Sequence, residues 1–90
     1  MKKLYKFYYD YSDTCEFLSG LFIEEEEIIA QAVGKTLYFD LGNADEETCK
    51  FKLDWSYIQE VKVEASTLMD MEKACGLNVC GHNPMDYIID

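Results

Sequence analysis

Tyr5, Phe7, Tyr9 and Tyr11 recur at every second position, with Leu4, Lys6, Tyr8 and Asp10 between them. That alternation is the pattern of a strand with one buried face and predicts a first strand over residues 3–11. Ser12, Asp13 and Thr14 then turn the chain, and 16–22 is a short apolar stretch that reads as strand or loop. Ile28, Ile29, Ala32 and Val33 form an apolar stripe behind a first turn of acids, which predicts a helix over 24–33, stopped at Gly34. A strand over 35–41 follows, with Leu37, Phe39 and Leu41 inward. The cleanest alternation comes next: Cys49, Phe51, Leu53 and Trp55 against Thr48, Lys50, Lys52 and Asp54, so Phe51 and Trp55 are expected in the core. Val61 and Val63 mark a further strand within 58–64. Ser66 reads as the N-cap of a helix over 67–75 with Leu68, Met71 and Cys75 on one face and Gly76 at its end. Asn83 before Pro84 predicts a last helical turn.

This order of elements points to the α+β class: a single, mainly antiparallel sheet of four to five strands with two helices packed on one face. Ninety residues make one domain, 1–90, because a second would be too small to bury a core. Seven Tyr and five Phe supply burial that a small core otherwise lacks. No run of 18 apolar residues exists, and Lys6, Asp10 and Asp13 interrupt the place where a signal peptide's apolar segment would stand. The expectation is a cytoplasmic protein with Cys15, Cys49, Cys75 and Cys80 as reduced thiols.

Charge changes the picture most. Eighteen Asp and Glu oppose eight Lys and no Arg, a net −10, and four acids run together as Glu24-Glu25-Glu26-Glu27. Such a field repels nucleic acid and acidic membranes and attracts proteins built to bind phosphate. On the predicted helix, Glu24, Glu27 and Gln31 would share an outer stripe with carboxylates spaced like strand phosphates. The plainer reading is that acids favour a helix N-terminus and keep the chain soluble. Lys6, Lys50, Lys52 and Lys62 fall on the polar sides of predicted strands and are expected to share an open sheet face.

Other chemistry is thinly represented. Cys75, Cys80 and His82 stand within eight residues and would furnish three zinc ligands, but the spacing is not that of a zinc knuckle. Cys75 also suits an apolar helix face. One His and no glycine-rich phosphate loop leave little for catalysis, so neither an enzyme nor a metal or other cofactor is expected. Asp45, Glu46 and Glu47 offer three carboxylates for a metal, but no calcium-ligand loop pattern accompanies them. Tyr8 and Tyr38 point away from the predicted core and are suited to a protein partner.

At Gly34-Lys35-Thr36-Leu37-Tyr38-Phe39 and at Gly81-His82-Asn83-Pro84-Met85-Asp86-Tyr87-Ile88 the chain resembles small acidic proteins of phages and prophages of low-GC bacteria. The resemblance implies a setting rich in anti-CRISPR, anti-restriction and other host-takeover inhibitors, and it transfers no functional residue. The expected function is inhibition of a basic nucleic-acid-handling host protein, with Glu24, Glu25, Glu26, Glu27, Asp45, Glu46, Tyr8 and Tyr38 as the partner-binding set. No direct binding of nucleic acid or membrane is expected, and a homodimer stays open. The alternatives are an immunity protein or antitoxin against a toxin nuclease, and a sponge for a signalling nucleotide. The sponge requires Lys50, Lys52 and Lys62 to converge on a pocket.

Overall fold

The computed structural model describes residues 2–10, 17–40 and 48–89. Expectations resting on Tyr11, the turn at 12–14, Cys15, Leu41, Asp45, Glu46 and Glu47 lie outside them, as does the side chain of Cys49.

Strand β1 (Lys2–Asp10) carries the expected alternation, with Tyr5 and Phe7 buried and Lys6 and Tyr8 exposed. It pairs antiparallel with β2 (Phe17–Glu25) along its whole length, Lys2 opposite Glu25 and Asp10 opposite Phe17. The stretch read as strand or loop is thus a full strand. Its period is hidden because Leu18 and Phe22 serve one face while Leu21 and Ile23 serve the other. The chain then passes without a break into α1 (Glu26–Ala32) and crosses to β3 (Thr36–Asp40) and β4 (Thr48–Lys52), an antiparallel pair. A 3-10 turn at Trp55–Tyr57 leads to β5 (Ile58–Val61), then α2 (Ala65–Cys75) and β6 (Asn78–Gly81). A second 3-10 turn, Pro84–Tyr87, follows, and there the Asn83 side chain accepts the Met85 N–H at 3.0 Å, as the Asn-Pro pair predicts.

The architecture is α+β with a sheet core, and among the described residues every strand pairing is antiparallel. The strands divide between two sheets where one is expected: a four-stranded sheet in the order β5-β1-β2-β6, and the β3–β4 pair. Stacking of apolar faces explains the division. Phe39 lies 6.0 Å from Phe7, and Phe51 stacks at 3.7 Å on Tyr9, so the smaller sheet lies over the larger one and does not extend its edge. Buried between the layers are Tyr5, Phe7, Leu18, Phe22, Leu37, Phe39, Leu53 and Ile58, with Ile29 and Ala32 contributed by α1.

The two helices also separate. Consecutive residues of a strand face opposite ways. Lys3, on the Tyr5 side of β1, lies 3.7 Å from Glu26 of α1, whereas Lys2, on the Leu4 side, lies 2.7 Å from Glu72 of α2. So α1 covers the face that carries the core, and α2 lies against the other, in place of both helices on one face.

Three local expectations are corrected. Trp55 is 39% exposed, because β4 ends at Lys52 and the Asp54 carboxylate accepts the Ser56 N–H at 3.4 Å, bending the chain into the 3-10 turn and turning the indole outward. Ser66 lies inside α2, whose N-cap is Glu64 with no side-chain cap bond. Cys75 is exposed, since α2 buries none of its residues.

Candidate partner-binding surface

The acidic run spans two elements. Glu24 and Glu25 are the last residues of β2, paired in register with Lys3 and Lys2, so their side chains leave the strand on opposite faces. Both are half-buried, and the Glu25 N–H donates to Glu24 Oε1 at 3.0 Å. Glu26 and Glu27 form the exposed first turn of α1, where carboxylates meet the positive end of the helix. The stripe of Glu24, Glu27 and Gln31 therefore does not form. The outer surface of α1 instead shows Glu27, Ile28 and Gln31, with Ile28 40% exposed although its spacing suggests the core. Ile29 and Ala32 face inward, and Ile28 lies one step around the helix from them.

Lysines hold the neighbouring acids. Lys3 reaches Glu60 at 3.6 Å as well as Glu26, and Lys62 reaches Glu60 at 3.2 Å. Glu26, then Glu60, raise the Lys3 ammonium above its ordinary pKa; the hydrogen bond to Glu72 does the same for Lys2. The hydrogen bond from Lys62 is the main cause holding Glu60 below the usual carboxylate value. Beneath them the enclosed Tyr5 hydroxyl finds no hydrogen-bond partner, and burial pushes its pKa up.

Tyr8 and Tyr38 are both exposed, on opposite outer sides of the molecule. Tyr8 points away from Phe7 on the larger sheet, beside Lys6 and Gln59 in a hollow of about 250 Å³. Tyr38 points away from Phe39 on the smaller sheet, with Lys50 opposite it in register. The lysines separate in the same way and share no single sheet face. Lys50 and Lys52 are exposed on β4, while Lys62 follows β5 on the other sheet, so the three do not converge as a nucleotide sponge requires.

Cys75 and Cys80 are exposed thiols. His82 is turned instead toward Tyr87, its Nδ1 lying 3.2 Å from the phenol oxygen and its ring edge-on to Phe39. Among the described residues no three His, Cys, Asp or Glu side chains are placed to hold a metal ion, and no helix is long and apolar enough to cross a membrane.

Sequence reasoning missed Trp55 and Ile28 as surface residues. The Asp54-Trp55-Ser56 order carried the signal for Trp55, because an Asp two residues before an available N–H is a turn former. Ile28 had no such signal, since it stands at the edge of the apolar arc whose centre is Ile29 and Ala32. Family models, curated proteins and solved structures provide no match to this chain.

Proposed function

We propose that this chain is a small acidic inhibitor, of the anti-CRISPR type, that docks on a basic nucleic-acid-handling protein of the host cytoplasm and keeps nucleic acid from it. The observation that carries the reading is Ile28, exposed on α1 between Glu27 and Gln31 in a chain of net charge −10. An apolar anchor beside a carboxylate on an acidic molecule suits a basic groove: the charges steer the encounter and the apolar contact holds it. Glu26 and Glu27 act as the phosphate-like charges. Glu24 supports them from the strand end on the α1 side, Glu25 leaves on the other face, and Tyr8 and Tyr38 belong to separate surfaces.

The test is affinity capture from a bacterial lysate with wild type and with Glu26→Lys plus Glu27→Lys, with captured proteins identified by mass spectrometry. The expected result is a basic nucleic-acid-binding protein that elutes as salt rises, is displaced by added DNA or RNA, and is lost from the double variant. Capture of an acidic protein, or retention by the variant unchanged, would reject the reading. Capture of a toxin nuclease would assign the same surface to immunity.

A further inference from the structure

The corner where β1, β2, β5 and α1 meet gathers acids from three elements around one lysine. Lys3 stands 3.7 Å from Glu26 of α1 and 3.6 Å from Glu60 of β5. Neither distance is that of a hydrogen bond, whereas Lys2 on the other face bonds Glu72 at 2.7 Å. Glu24, opposite Lys3 in register, leaves β2 on the same face, and Glu27 follows Glu26 on α1. Lys62 reaches Glu60 at 3.2 Å from an exposed position, so the carboxylates of Glu24, Glu26, Glu27 and Glu60 share the ammonium groups of Lys3 and Lys62.

Beneath this group lies Tyr5, 2% exposed, paired in register with Glu60 and on the same face of β1 as Lys3. Its hydroxyl has no hydrogen-bond partner, and the charges that act on it are those of Lys3, Glu26, Glu60 and Glu27, so it is aimed into the cluster. Two carboxylates held off from the lysine between them, and a phenol left bare, call for a cation with more donors than Lys3 brings. We propose that this corner, on the reading of α1 as the docking surface, seats an arginine side chain of the basic partner. Glu26 and Glu60 grip the guanidinium, and the Tyr5 oxygen accepts one of its N–H groups.

A guanidinium fits where an ammonium does not. Its N–H donors lie in one plane and point in several directions, so a single group reaches both carboxylates and the phenol together. A lysine from the partner would only bring a second compact charge to the place that Lys3 already holds. Lys3 is one-third exposed, and Glu24 stands across the ladder to receive it when it swings aside, so its charge is not stranded. The entrance is open, since more than half of the Glu26 side chain faces solvent. Proteins that handle nucleic acid grip phosphate with the arginine fork, and carboxylates offer that fork acceptors of the same kind.

The test is an NMR titration of the full chain, its tyrosine rings labelled, with N-acetylargininamide and N-acetyllysinamide, which carry the same single charge. A saturable shift of the Tyr5 ring, with the arginine probe bound about five-fold or more tighter than the lysine probe, supports the site. Glu60→Gln and Tyr5→Phe, the latter read at the Lys3 amide, should each cut that preference to about two-fold or less. Asp70→Asn, at an exposed acid of α2, should leave it unchanged. The proposal is overturned if the Tyr5 ring does not shift, if the lysine probe binds as tightly, or if either variant keeps the full preference. Capture from lysate separates it from the reading it rests on. A basic protein held undiminished by Glu60→Gln but lost from Glu26→Lys plus Glu27→Lys rejects the arginine seat alone, whereas capture of an acidic protein rejects the inhibitor.

Discussion

At the scale of the residue, burial and exposure set what each aromatic is worth. Phe39 is enclosed and packs against Phe7, Phe51 and Tyr87, so Phe39→Ala should cost about 3–5 kcal/mol in urea unfolding. Trp55 sits outside on its turn, and Trp55→Ala should cost about 1 kcal/mol or less, with native fluorescence open to acrylamide quenching. The alternating pattern placed both in the core, and it was right for Phe39 because the ladder continues through it. It failed at Trp55 because Asp54 bonds the backbone locally and ends the alternation early. Tyr5 makes a separate prediction. Its enclosed hydroxyl lacks a partner, so Tyr5→Phe should leave stability unchanged or raise it by about 1 kcal/mol. The folded pKa lies above the ordinary 10.0, so the unfolded chain releases this proton first as pH rises. The resulting contribution to stability is whole below about pH 10 and is lost as pH climbs through the folded value. Melting curves from pH 9 to 11.5 should therefore fall more steeply in wild type than in Tyr5→Phe.

At the scale of the element, legibility followed how one-sided each element is. β1 and β3 alternate cleanly and read directly from the sequence, although Leu4 of β1 is buried on the face opposite Tyr5. β2 has apolar residues on both faces and gave no period, and β6 is only four residues whose place is decided by backbone contact, not by pattern. Gly20 lies opposite Gly81, and a Cβ at Gly20 would run into the backbone of His82; Gly81 itself holds φ at 68°. Gly20→Ala should accordingly detach β6 from β2 and cost about 1–3 kcal/mol, with faster amide exchange at residues 78–82 as the direct readout. The acidic run shows the same limit in the candidate surface. Four adjacent glutamates suit a helix start, yet the two that pair with Lys2 and Lys3 are drawn into the strand.

At the scale of the molecule, the excess charge works against the compact state. Surface lysines neutralise some of the acids, as at Glu72, Glu26 and Glu60, and the remaining repulsion is spread through solvent, where salt screens it. The melting temperature should therefore rise between 10 and about 200 mM sodium chloride, where the Debye length shortens toward 8 Å. A fall would mean that the ion pairs outweigh the repulsion. Charge balance is legible in the sequence alone, since it is a property of composition. The meeting of Lys3 and Lys62 at Glu60 is not, because it depends on β1 pairing with a strand more than fifty residues away.

That pairing also governs how the chain can be made. β1 and β2, the two central strands of the larger sheet, leave the ribosome before β5 and β6, and they pair with each other as a hairpin. Their outer neighbours, β5 and β6, are synthesised later, at residues 58–61 and 78–81. Until β5 emerges the nascent hairpin therefore has both edges unpaired and its apolar side chains uncovered, the condition in which strands recruit copies of themselves. Closing it requires contacts of long sequence separation, which slow folding. A cell that makes this protein quickly and in quantity thus meets a hazard of kinetic origin, greatest in the interval before β5 and β6 arrive.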